Sequence, residues 1–356
     1  MMFFINRRIA RAVIHASSLG RAACLVALLL LPGVASAVGS VSTLAPRPLG
    51  MGGAFMAVED ELAAVVWNPS ALSPPLCRRG WNVRVHANIL GGPAVVRETG
   101  LLTGVHTEPF RGLPGGEKLA FAVGSLVKSV TVRRGQLSFG VVLLEEHLDP
   151  RGLIESQGLA DPTYLLEAHY SSAAVAFRLA PRVSIGISQF VLAGSDGAGE
   201  RTYGGGRSYG ATLRPNDAVT VGFTYFDVSR GFGDYRRSIE GLAPRTMNAG
   251  IAFRPVPSVL LTFDLRDMAE LHADTSLEPR AGAEWNLWGR GALRAGFFRE
   301  DGGESPVLSL GVGAIPMNGC YHRGEALRSD AFVLNYAVLV SEDSGPRHLI
   351  SALLHF

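Results

Sequence analysis

Trp81-Asn82-Val83-Arg84-Val85-His86-Ala87-Asn88-Ile89 puts Trp81, Val83, Val85, Ala87 and Ile89 on one side and Asn82, Arg84, His86 and Asn88 on the other. Alternation at two residues is the period of a β-strand, whose successive side chains leave opposite faces. Outward from this stretch the same period recurs. Leu137, Phe139, Val141 and Leu143 share a face, as do Val183, Ile185 and Ile187. Val219, Val221, Phe223 and Tyr225 follow, then Met247, Ala249, Ile251 and Phe253. Val259, Leu261, Phe263 and Leu265 stand opposite Thr262, Asp264 and Arg266.

The connections alternate in length. Arg214-Pro215-Asn216-Asp217, Arg254-Pro255-Val256-Pro257 and Trp288-Gly289-Arg290-Gly291 have the composition of tight turns. Longer Gly- and Pro-rich segments lie at 149–162, 193–206, 231–244 and 316–329. Short turns at one end and long loops at the other is the layout of an outer-membrane barrel. Glycine, at 43 of 356 residues, is well above its usual share of about 7%, which suits bends and loops in a closed sheet. From Trp81 to Phe356 the chain has room for about 14 strands of roughly 9–11 residues with their connections.

A soluble sandwich or propeller also alternates. Here one set of faces carries Arg84, His86, Asp264, Arg266, Glu284, Asn286 and Arg294, and the other is apolar. The two ends of the chain decide between these readings. Arg7, Arg8, Arg11 and Arg21 form a basic start without an acid, residues 22–31 are an apolar run, and Ala35-Ser36-Ala37 is a small-residue cleavage site. That is the pattern of a secretory signal peptide, cut after Ala37 or, as the weaker alternative, after Ala35. The run is too short to span a bilayer, which takes about 20 residues. At the other end, the alternating stretch from His348 finishes on the aromatic Phe356. A terminal strand ending on Phe resembles the signal by which barrel-assembly machinery recognises its clients. With the export signal and the terminal Phe, the expectation is a transmembrane antiparallel β-barrel, with outer-membrane lipid outside and a polar lumen. Residues 1–37 are then the signal, 38–80 an N-terminal segment and 81–356 the barrel.

Composition agrees. Hydrophobic residues make up 47% of the chain and its mean hydropathy is +0.21, yet no apolar run of 18 residues follows the signal. Of 33 basic and 31 acidic side chains, four arginines belong to the signal. The mature chain keeps 29 and 31, a net charge of −2, so no nucleic-acid surface is expected. Cys77 and Cys320 alone survive cleavage, too few for a disulfide framework or a zinc site. Free thiols are the default for them, with a pairing left open.

Residues 48–74 do not alternate. Gly50-Met51-Gly52-Gly53-Ala54-Phe55 leads to Glu59-Asp60, and Trp67-Asn68-Pro69-Ser70 follows. A dinucleotide-binding turn would follow a strand and open a helix; here Pro46 and Pro48 precede the glycines. The segment resembles instead the opening of the FadL-type outer-membrane transporter superfamily, especially its PorV/PorQ-like branch. That branch has a Gly-Met-Gly-Gly-Ala-Phe stretch, an acidic residue shortly after, and Trp-Asn-Pro-Ala. Ser70 stands here where the family usually has Ala. Later segments are also similar to it: residues 245–267, Gly282-Ala283-Glu284-Trp285, Leu293-Arg294-Ala295-Gly296-Phe297, Asn335-Tyr336-Ala337 and 347–351.

The resemblance implies a 14-stranded barrel with residues 38–80 folded into the lumen as a hatch. Gly50, Met51, Gly52, Gly53, Phe55, Trp67, Asn68 and Pro69 are then the gating candidates, and Asp264, Arg266, Glu284 and Arg294 the polar lumen candidates. Glycine would permit close backbone approach, Asn68 would bond backbone locally and Pro69 would fix a turn. The plainer alternative is that these residues end a periplasmic arm. The resemblance also implies either uptake of hydrophobic small molecules or, from the PorV-like branch, docking of secreted protein cargo. A purely structural or assembly-linked barrel is the third reading. Phe298 and Leu353 are expected to face inward; apolar inward residues near the hatch would favour uptake.

No catalytic constellation stands out. HExxH and P-loop motifs are missing, and no G-x-S-x-G stands at a strand-to-helix elbow, the Gly206-Arg207-Ser208-Tyr209-Gly210 spacing having no helix after it. The eight histidines of the mature chain are scattered without ligand spacing, so neither metal nor cofactor is expected. Ser351 and His355 would share a strand face at about 13 Å, too far for direct proton transfer.

Overall fold

The alternating stretches become fourteen strands in the computed structural model. Those of the first half are β1 (Trp81–Asn88), β2 (Val127–Arg134), β3 (Leu137–Glu146), β4 (Ala168–Ala180), β5 (Val183–Ser195), β6 (Arg201–Leu213) and β7 (Val219–Val228). The second half has β8 (Arg245–Val256), β9 (Val259–Arg266), β10 (Glu278–Leu287), β11 (Gly291–Arg299), β12 (Pro306–Ala314), β13 (Ala331–Val340) and β14 (Arg347–His355). The structure describes residues 46–59, 62–72, 81–88, 95–97, 99–101, 104, 108–146, 168–195, 201–228, 245–266, 268, 277–287, 291–299, 306–314, 331–342 and 346–355. The proposed signal, Cys77, Cys320 and Phe356 lie outside them.

Each strand pairs antiparallel with its neighbours in sequence, and β1 pairs with β14, so the sheet closes on itself. Closure removes the sheet edges and satisfies the main-chain groups within the wall, which a non-aqueous surround requires. At the seam, the paired residues among those described are His86 with His355, Ala87 with Leu354 and Asn88 with Leu353.

The wall has two chemically distinct faces. Outward residues such as Phe139, Ile187, Phe223, Ile251, Phe263 and Leu310 are exposed, Leu310 at 58%. A contiguous apolar band of this extent is untenable against water and natural against acyl chains. Many inward residues are small or polar and buried: the Ser188 and Ser208 hydroxyls lie 2.7 Å apart, and Asn248 donates to Thr224 at 3.4 Å. At the rim, the Arg134 guanidinium lies over the Trp81 ring at 4.8 Å.

Three departures from the sequence reading have physical reasons. Residues 193–206, read as a loop, are largely strand: β5 and β6 stay paired out to Ser195 and Arg201. The glycines there serve packing, since a methyl on Gly206 would run into the inward Phe190 ring. Second, the 316–329 segment, itself outside the described residues, connects β12 to β13 and so belongs in strand order with the connections read as tight turns. Third, a helix at Gly115–Leu126 precedes β2. Its mostly apolar sequence offers no clear period, and Leu119 and Val123 are exposed while Phe121 and Ala122 are buried.

Candidate functional site: the segment inside the barrel

Residues 46–59 and 62–72 lie inside the ring of strands, and all but Val66 are buried. Proline at 46 and 48 favours the short helical turn Pro46–Gly50. The Met51 and Gly53 amides then donate to the Pro48 carbonyl at 3.0 and 2.8 Å. This turn needs Gly52 and Gly53 at φ +63° and +67°, a region that side chains disfavour. Space forbids a side chain there as well. A Cβ on Gly52 would come 2.5 Å from the Ala281 carbonyl oxygen, and one on Gly53 would meet the Arg280 guanidinium.

Four charged or polar wall residues hold this first half. Asp264 Oδ2 accepts the Phe55 and Met56 amides at 2.6 and 2.9 Å. Arg266 donates to the Gly53 carbonyl at 2.8 Å and its guanidinium stacks over Trp67 at 4.8 Å. Ser309 Oγ accepts the Gly52 amide at 2.9 Å. Glu284 takes Arg47 through both carboxylate oxygens, at 2.9 and 2.8 Å, and Arg294 Nε at 2.7 Å. Arg294 also donates to Asn335 Oδ1 at 2.9 Å.

The second half is held differently. Asn68 Nδ2 donates to the Met56 carbonyl at 2.6 Å, tying the two halves together. Asn68 Oδ1 accepts the Ser70 amide at 3.1 Å and the Ser70 hydroxyl at 2.7 Å. That hydroxyl also lies 2.6 Å from Thr212 Oγ1 on β6. Glu59 forms a buried ion pair with Arg214, whose guanidinium also donates to Ser184 Oγ at 3.3 Å. Phe55 and Trp67 pack edge to face, 6.3 Å between centroids.

Where the segment's backbone comes closest to the wall, the wall positions are glycine. Inward positions Gly140, Gly186, Gly210, Gly222, Gly250, Gly282, Gly296 and Gly311 each face it or the residue that grips it. A Cβ on Gly186 would come 2.5 Å from the Pro69 carbonyl carbon, and one on Gly282 or Gly296 would meet the Met51–Gly52 backbone. Several are cross-strand partners: Gly186 with Gly210, Gly222 with Gly250, Gly282 with Gly296. The result is a belt with no side-chain layer between segment and sheet.

The remaining contacts are apolar. Met56, Val58, Leu62, Val65, Trp67 and Leu72 share one buried cluster with inward Val142, Tyr170, Phe190, Phe226, Leu260 and Leu353. A second cluster, Val95, Phe110 and Phe121 with Leu113 and Leu144, lies by the β1–β2 connection. Between the two, β3 is irregular. Its pairing with β4 shifts register between Val142 and Glu145, and Leu144 has φ +43°.

All eight gating candidates therefore lie in the segment, and all four polar lumen candidates meet it or the residues that anchor it. Phe298 and Leu353 face inward, fully buried. The sequence reading passed over Arg47, Arg214, Arg280 and the glycine belt. Arg280 is fully buried, donates to Glu278 at 2.5 Å and stacks on Phe298 at 4.4 Å. The belt had a signal: its glycines fall on the same alternate positions as the polar inward residues, Gly282 between Arg280 and Glu284 for example.

Comparison with known proteins gives no matching family model and no matching curated protein. Among solved structures, the chain is similar to a Pseudomonas aeruginosa FadL homologue at 12% identity and TM-score 0.45, covering 90% of this chain and 97% of that one. It is similar to the Pseudomonas putida toluene transporter TodX at 10% identity and TM-score 0.46, covering 90% and 98%. A mutant of the Rh. blastica porin gives 11% identity and TM-score 0.35, covering 64% and 75%.

Proposed function

We propose that this barrel resides in the outer membrane and carries apolar small molecules across it, with the lumenal segment as its hatch. The apolar lining at hatch level carries the reading. Val142, Tyr170, Phe190, Phe226, Leu260 and Leu353 point inward against apolar hatch residues, where a pore for ions or sugars would present charge and water. Uncovered by a shift of the hatch, such a surface favours a solute by the area it removes from water, roughly 25 cal/mol per Å². Glycine contact and buried ion pairs hold the hatch, so a straight aqueous path at belt level is closed to solutes. The irregular β3, between the two apolar clusters, supplies a break in the wall's pairing at which an exit through it can open.

Export through a signal cut after Ala37 and recognition of Phe356 by the assembly machinery are part of the same proposal. Native mass spectrometry of the mature protein, extracted gently from outer membrane, tests it. The expected result is an apolar small molecule retained on the barrel. A stoichiometric protein companion with no such molecule would overturn uptake in favour of cargo docking.

A further inference from the structure

Glu145 and Tyr170 are partners across the β3–β4 register, immediately beyond the irregularity. Both are buried, Glu145 completely and Tyr170 at 6% exposure. Lys128 Nζ lies 3.7 Å from Glu145 Oε2 and donates to the Leu144 carbonyl. Carboxylate and ammonium thus form a pair of no net charge. The Tyr170 ring belongs to the apolar cluster around the hatch, while Leu144 packs on the second cluster beside the β1–β2 connection. A polar group of three residues therefore interrupts an otherwise apolar surface, where the two clusters approach.

The Tyr170 hydroxyl has no hydrogen-bond partner among the described residues. A buried hydroxyl in that condition has given up its bonds to water and received none in return, and native interiors seldom leave one so. A phenylalanine would fill the same apolar space without that penalty. A hydroxyl at this place is explained if something arriving along the apolar surface bonds to it.

We propose that Tyr170, with Glu145 beside it, is the polar contact for an apolar ligand bearing one neutral hydroxyl, of the phenol or alcohol class. The ligand oxygen accepts from the Tyr170 hydroxyl and its proton is donated to the Glu145 carboxylate. A pure hydrocarbon leaves Tyr170 unmet, and a carboxylate ligand has no proton to give the Glu145 oxygen. The inference rests on the uptake reading and narrows it to a substrate class.

Binding of naphthol and naphthalene to the purified full-length barrel in detergent, followed by ligand fluorescence, tests it. Tyr170→Phe should lower the ratio of naphthol to naphthalene affinity about tenfold, the loss of one hydrogen bond. Glu145→Gln should raise affinity for naphthoate, by lifting the repulsion and leaving Lys128 positive. An unchanged ratio in Tyr170→Phe, with wild type binding both probes, overturns the hydroxyl site and leaves apolar transport standing. Wild-type protein that binds neither probe overturns both.

Discussion

One oxygen of Asp264 receives two consecutive amides of the lumenal segment, Phe55 at 2.6 Å and Met56 at 2.9 Å. The carboxylate sits on β9 and the amides belong to a segment some 200 residues earlier. Two donors on one acceptor fix the direction of the backbone as well as its position. Asp264→Ala leaves both amides buried without an acceptor, at about 1–3 kcal/mol each. The expected outcome is a folded barrel with a loosened segment. Planar-bilayer recordings should show larger, noisier conductance than wild type; a silent bilayer with a folded variant would contradict this.

Glu284 is shared by Arg47 and Arg294, so its removal should hurt more than removal of either arginine. Glu284→Ala takes the shared carboxylate from two buried guanidinium groups, and breaking a buried pair from one side typically loses about 3–5 kcal/mol. Arg47→Ala leaves Glu284 still paired with Arg294 and should lose less. Urea unfolding in lipid vesicles measures the order. Equal losses would show that the three charges do not act as one network.

Gly52 unites a positive φ with contact on two wall strands. Gly52→Ala is therefore strained twice, by about 1–3 kcal/mol for the backbone alone, and Gly52→Trp should abolish transport while insertion proceeds. Gly112→Ala, with open space around it, should match wild type in both respects. Normal apolar uptake by Gly52→Trp would remove the hatch from the mechanism.

Deleting Phe356 should lower the amount of barrel recovered in the outer membrane several-fold without changing the function of what is inserted. Quantitative blotting of membrane fractions reads the first effect and uptake per inserted barrel the second. Undiminished levels would show that the terminal aromatic is dispensable for assembly.

The wall was legible in the sequence because lipid and lumen impose opposite demands on neighbouring residues. Val259 to Arg266 states its own two faces without help from the rest of the chain. The lumenal segment was legible as a departure from that period, through Gly52, Gly53 and Trp67-Asn68-Pro69. What it touches was not, since pairs such as Arg47–Glu284 are 237 positions apart and depend on closure. Strand glycines such as Gly186 and Gly250 were taken for bends, because a glycine that makes room for a distant backbone looks locally like one that makes a turn. The helix at Gly115–Leu126 showed no period to find.

The belt also has a mechanical consequence. Gly296 meets the Met51–Gly52 backbone on its inner side, while its neighbours Ala295 and Phe297 face outward, Phe297 at 42% exposure. One thickness of polypeptide separates the lumenal segment from the acyl chains, with no compressible side-chain layer to absorb a displacement. Squeezing, thinning or thickening of the bilayer at that height is passed straight to the segment. For a barrel in the proposed outer membrane, the bilayer's own stiffness thus bears on the segment through a single layer of backbone.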